Sequence, residues 1–185
     1  MKNILVAIIL FLCWVGSAWG LNQEQTVDSV EPGNSSYGVQ AKIFRQSIPS
    51  IADQFIGIPY ELGGNPQISG TSDNSYLFFS IYTLAAQKAG LSYGEYLPMA
   101  YLLDNTREVD KNDLRNGDLI VLNNNHAAMI YWIDESGKMY FIYASGKRQK
   151  IIAFNSENPV FDIYWLENLK GFYRISDTML LPRPW

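Results

Sequence analysis

Two kinds of hydrophobic spacing divide this chain. Up to about residue 103 the apolar positions recur at helical intervals, and beyond Gly117-Asp118 they fall in short β-branched and aromatic runs. Ile48, Ile51, Ala52 and Phe55 stand at i, i+3, i+4 and i+7. This predicts a helix capped by Ser47, with Pro49 in its first turn and Gly57 as its end. Leu77, Phe78, Ile81, Tyr82 and Ala85 predict a second helix, from near Asn74 to Lys88 or Ala89, closed by a left-handed Gly90. Ser92 to Leu103 predicts a short third helix carrying Tyr96, Met99 and Leu102, with its aromatics as packing groups.

Strands are expected at Leu119–Leu122, Ala127–Ile133, Met139–Tyr143 and Gln149–Phe154, separated by polar turns rich in Asn, Asp, Ser and Gly. Val160–Leu166 and Gly171–Ile175 are candidate edge strands. The connections are too short for crossover helices, so the sheet should be antiparallel and the fold α+β with its helices first. A turn at Asp134–Gly137 sets His126 opposite Ser145 and diagonal to Tyr143, hence on one face with Tyr143. A slip of one residue would undo that placement.

The ends of the chain bear on compartment. Met1–Gly20 has Lys2, an apolar run from Ile4 to Val15 and small residues around Ala18. That is the order of a secretory signal, with an uncleaved anchor as the alternative. Residues 21–40 are polar and without sustained period, expected as a flexible leader or else a poorly patterned first strand, ahead of a domain over 41–185. Export to the periplasm or the exterior follows, with no stable membrane span after cleavage. The one cysteine, Cys13, lies in the expected signal, and Leu12 before it is unlike a lipoprotein site. A cleaved chain would have neither a thiol nucleophile nor a disulfide. The net charge is −4, and loss of Lys2 makes it more acidic, which argues against nucleic acid as a partner. Lys147-Arg148-Gln149-Lys150 is a locally basic exception.

Between the first two helices, glycines at 57, 63, 64 and 70 and prolines at 59 and 66 mark a turning loop that ends in Asp73-Asn74-Ser75. Asn74 is thereby set at a helix N-terminus, where N–H groups and the dipole favour negative charge. Gly57-Ile58-Pro59-Tyr60-Glu61-Leu62-Gly63-Gly64 followed by this triplet resembles the NlpC/P60 cell-wall cysteine peptidases. In that family a G-x-P-Y-x-x-G-G stretch leads to Asp-Cys-Ser, and the cysteine opens the first core helix. Gly117-Asp118-Leu119 followed by His126 extends the resemblance over roughly Ser47 to Phe154. It implies a papain-like fold, with N-terminal helices packed on a mostly antiparallel sheet. It also implies His126 as general base, Tyr143 in the place of the residue that orients it, and Asn74 in the place of the thiol. Tyr60 would sit beside that position. Tyr60, Asp73, Ser75, Lys147 and Arg148 are the candidate substrate contacts.

A carboxamide does not attack a peptide bond near neutral pH, whereas a thiolate at a helix N-terminus does. Ser75 is the available hydroxyl, but one step along a helix turns a side chain by about 100° and advances it about 1.5 Å. A single histidine without H-E-x-x-H argues against catalytic zinc. No phosphate-binding loop is present, and no spacing selects a carboxylate pair such as Asp73 with Asp118. No cofactor is therefore expected. The resemblance then implies an exported, catalytically degenerate domain that binds a peptidoglycan stem peptide or a cell-envelope protein in the former active-site cleft. A hydrolase using Ser75 and a structural scaffold stand as alternatives.

Overall fold

The computed structural model describes residues 32–183 of the 185-residue chain. The expected signal and residues 21–31 of the expected leader lie outside it. Helix α1 (Pro32–Ala52) begins inside the stretch read as leader, fifteen residues before the expected cap at Ser47. Ser47 is internal, and its hydroxyl donates to the Ile43 carbonyl at 2.8 Å. Pro49 is internal too, and cannot supply the N–H that the Arg45 carbonyl would receive. Asn116 Nδ2 reaches that carbonyl instead, at 3.5 Å. Phe44, Ile48, Ile51 and Ala52 form the buried stripe, as the period predicts from Ile48 onward.

Helix α2 (Asn74–Lys88) starts and stops where its sequence predicts. Asp73 caps it by accepting from Tyr76 N at 2.9 Å, and Gly90 follows with φ +72. The segment expected as a third helix divides into β1 (Leu91–Tyr93) and α3 (Met99–Asp104). Beyond it come β2 (Thr106–Val109), β3 (Asp118–Leu122), β4 (Ala127–Ile133), β5 (Met139–Ser145), β6 (Lys150–Asn155), β7 (Leu169–Ile175) and β8 (Leu180–Pro182). Six strands make one antiparallel sheet in the order β2-β7-β3-β4-β5-β6, and β1 pairs separately with β8.

Two expectations about the late segments are corrected. Val160–Leu166 is not an edge strand: Phe161–Leu166 forms one π-helical turn that buries Phe161 and Trp165 against the sheet. Gly171–Ile175 belongs to β7, which is interior because β2 covers its outer side. The turn segment is needed because both faces of the sheet are apolar. Along β4, Ala127, Met129 and Tyr131 meet α1 and α2, while Ala128 and Ile130 join Phe141, Phe172, Phe161 and Trp165 on the far face. Every residue of β3 is buried, as two-sided coverage requires. The architecture is α+β, with helices on an antiparallel sheet.

The start of β3 is held electrostatically. Asp118 is fully buried and accepts from Arg174 Nε at 2.8 Å, Arg174 Nη2 at 2.6 Å, Arg115 N at 2.8 Å and Arg45 Nη1 at 3.4 Å. Such a fork satisfies the carboxylate bidentately and ties β3 to β7 and α1. Gly117 beside it has φ +92, and a Cβ there would stand 2.5 Å from Ile48 Cδ1, so the close approach of α1 requires glycine.

Candidate functional site

The loop after α1 is threaded onto the edge of β6: Gly57 N donates to Ile151 O, Ile151 N to Ile58 O, and Tyr60 N to Gln149 O. Ser72 then returns alongside Tyr60, and Gly63 N donates to Asp73 Oδ2 at 2.9 Å. Asp73 thus uses one carboxylate oxygen for the helix cap and the other for the loop. A cleft of about 300 Å³ opens at this helix start, lined by Tyr60, Leu62, Asn74, Met99, His126 and Gly146 among others. Asp73 and Ser75 also reach it.

Asn74 does something its sequence position does not announce. Its Oδ1 accepts from Ala144 N at 2.7 Å, and its Nδ2 donates to Ala127 O at 3.2 Å. The ladder between β4 and β5 ends at Met129–Ile142. Two residues further along the same register, Ala127 and Ala144 would face each other and bond directly. The Asn74 carboxamide stands between them as a relay, one donor and one acceptor in the place of a single peptide contact. Two of its four hydrogen-bonding sites are thereby spent on backbone, one N–H and one lone pair being left over. A carboxylate could not make both contacts, and a leucine neither.

The hairpin behind this geometry differs from the expected one in two compensating ways. The loop is one residue longer, since Ile133 pairs with Met139, and a bulge between Ile130 and Trp132 restores the register at Ile130–Phe141. His126 and Tyr143 therefore share a face, as expected, with ring centroids 5.3 Å apart and planes at 87°. That face is not the one turned to α2. The His126 ring also lies 5.4 Å from Trp165, in the aromatic layer of Tyr143, Phe154 and Trp165 beneath the sheet. On β4 it is Ala127 whose side chain faces the helices.

Among the described residues no hydrogen bond joins the His126 imidazole to Tyr143, Asn74 or Ser75; its contacts are aromatic. Burial holds its pKa below the ordinary value, so the ring is neutral at physiological pH. Tyr143 touches His126 edge-on and makes no orienting hydrogen bond. Ser75 is buried beside Tyr96, whose hydroxyl is pushed up by burial and by the nearby Asp73, with a Ser75 hydrogen bond acting the other way. Tyr143, Lys147 and Arg148 line a neighbouring cleft of about 480 Å³, together with Phe154, Val160 and Trp165. The candidate residues thus divide. Tyr60, Asp73, Asn74, Ser75 and His126 reach one cleft, and Tyr143, Lys147 and Arg148 the other. Leu62 and Met99 join the first cleft without a signal in the sequence beyond being apolar residues near a loop.

No family model matches the chain, and no curated protein matches it. Solved structures do. A crystal structure described as similar to lipoprotein, NLP/P60 family, from Staphylococcus aureus subsp. aureus Mu50 superposes with a TM-score of 0.52 at 24% identity. The match covers 72% of this chain and 41% of that one, so the chain spans less than half of that protein's length. The peptidoglycan hydrolase RipB from Mycobacterium tuberculosis gives 0.45 at 15% identity, over 79% of this chain and 85% of its own. NlpC1 from Trichomonas vaginalis gives 0.40 at 17%, over 75% and 43%. The match to the Staphylococcus aureus structure gives the fold, the papain-like α+β fold of NlpC/P60 domains. No helix of the described residues is long and apolar enough to cross a membrane.

Proposed function

We propose that this chain is an exported, non-hydrolytic domain of the NlpC/P60 kind that binds a peptidoglycan stem peptide in the cleft at the start of α2. The observation that carries the reading is the Asn74 carboxamide, held between Ala144 N and Ala127 O at the helix N-terminus. A group fixed as a strand relay is neither a nucleophile nor free to become one. His126, packed on Trp165 and Tyr143, makes no side-chain hydrogen bond to Ser75 or to any other hydroxyl among the described residues, so no base–nucleophile pair is assembled. The cleft itself persists. Tyr60, Leu62 and Met99 supply apolar walls, the remaining Asn74 N–H and lone pair suit a peptide amide, and Lys147 and Arg148 follow Gly146 of the wall directly. The degenerate domain thus keeps a surface of peptide-binding character after losing its reagent.

Calorimetric titration of the purified protein with muropeptides, together with mass spectrometry of the same mixtures, tests this. Binding without cleavage is expected, weakened by Tyr60→Ala; Asn74 is avoided as the probe because its removal disturbs the sheet. Cleavage abolished by Ser75→Ala would establish the hydrolase instead. No binding to any muropeptide would leave an inherited cleft in a scaffold protein.

A further inference from the structure

A cavity of about 640 Å³ lies away from α2. It lies between the middle of α1, the turn at Leu114–Asn116, and the Arg107 and Arg174 positions of β2 and β7. Five cations reach it, Lys42, Arg45, Arg107, Arg115 and Arg174, against one acid on its lining, Asp177. The chain as a whole is acidic, so this density of positive charge is local and opposed to the average.

The cations are not equivalent. Arg174 is committed to the buried Asp118, which has also taken Arg45 Nη1 and the Arg115 backbone N–H and has little capacity left. Lys42, Arg107 and Arg115 are exposed and make no ion pair with any described residue. Arg107 also stands directly opposite Arg174 in the β2–β7 register, and Asp118, which neutralises Arg174, makes no hydrogen bond to Arg107. Burial, and then the neighbouring Arg174 and Arg115, hold the Arg45 guanidinium below its ordinary value against the pull of Asp118. The Tyr37 hydroxyl on the same wall is buried without a hydrogen-bond partner among the described residues. Half-buried Ala41, Leu114 and Ile133 give the cavity an apolar stretch of wall, with Gln46 and Asn116 as its neutral polar lining.

We infer that this cleft is a binding site for a small, multiply charged oxyanion ligand, its head held by Arg107, Arg115 and Lys42 and its carbon body set against Ala41 and Leu114. Guanidinium forks match phosphate and carboxylate alike, and the volume falls within the range of small-molecule sites, about 300–1,000 Å³. Nothing in this inference depends on the α2 cleft.

Calorimetry at low ionic strength, with inorganic pyrophosphate and citrate as probes, decides it. At least one should bind saturably at one site per chain. Arg107→Gln combined with Arg115→Gln should weaken that binding about tenfold or more, as loss of charge-assisted bonds implies. Lys147→Gln combined with Arg148→Gln, which removes the same charge from another surface, should leave it unchanged. Binding of pyrophosphate alone assigns a phosphate ligand, and of citrate alone a carboxylate one. Lys42→Gln, on the opposite wall, should reproduce part of the loss and serves if the arginine pair destabilises the fold. No saturable binding by either probe, or equal loss in the two double variants, would overturn the site.

Discussion

Replacing Asn74 by leucine removes a relay and leaves two backbone groups without partners. Ala127 is fully buried and Ala144 is 3% exposed, so water does not readily replace the lost bonds. Each orphaned buried group costs about 1–3 kcal/mol. Leucine returns a few tenths of a kcal/mol through its better helix propensity. The expected net loss is roughly 2–4 kcal/mol, or about 5–15 °C in Tm for a domain of this size. Asn74→Asp should lose less, since one oxygen can still accept from Ala144 N and the charge favours the helix N-terminus, while its other oxygen faces the Ala127 carbonyl. Urea denaturation with linear extrapolation measures both variants, and amide exchange of Ala144 reports the local effect. A loss under about 0.5 kcal/mol for Asn74→Leu, with Ala144 as protected as before, would refute the relay.

Two further perturbations test other parts of the structure. Asp118→Asn keeps the shape of the buried hub but strips its charge from between Arg174 and Arg45; urea denaturation should show a loss of about 3–5 kcal/mol, and a loss near zero would mean that water satisfies the arginines. His126 is held below its ordinary value of about 6.5 in the folded chain, so the unfolded chain takes up the proton first as pH falls. Its contribution to stability is intact above that value and declines as pH drops from there toward the folded value. The urea midpoint should therefore fall between about pH 7.5 and pH 5.5, and His126→Phe, which suits the aromatic layer, should flatten that part of the profile; an unchanged slope would show the ring to be hydrated.

Much of the fold was legible in local pattern. The limits of α2 follow from Asp73, the apolar period and Gly90, all of which act within a few residues of chain. The strands β3 to β6 follow from β-branched and aromatic runs between polar turns, and antiparallel pairing follows from the shortness of those turns. The beginning of α1 was not legible, because residues 32–43 contain Pro, Gly, Asn and Ser and carry a weak period. The fate of Phe161–Leu166 was hidden for a different reason. An apolar run of that length suits a strand or a buried turn, and the uncovered far face of the sheet selected the turn.

At the site the division is sharper. Sequence determined that Asn74 opens a helix behind a glycine-rich loop, that the one cysteine, Cys13, stands far from that loop in the chain, and that His126 and Tyr143 share a face. Tertiary structure decided which face. Side chains alternate along a strand, so the choice between Ala127 and His126 as the residue turned to α2 rests on one step of register. That step was set by a loop one residue longer than expected and a bulge that takes the residue back. The role of Asn74 likewise depends on Ala127 and Ala144, 53 and 70 residues away in the chain. A carboxamide can serve a ligand or a strand equally well, and only the distance to those two backbone groups settles which.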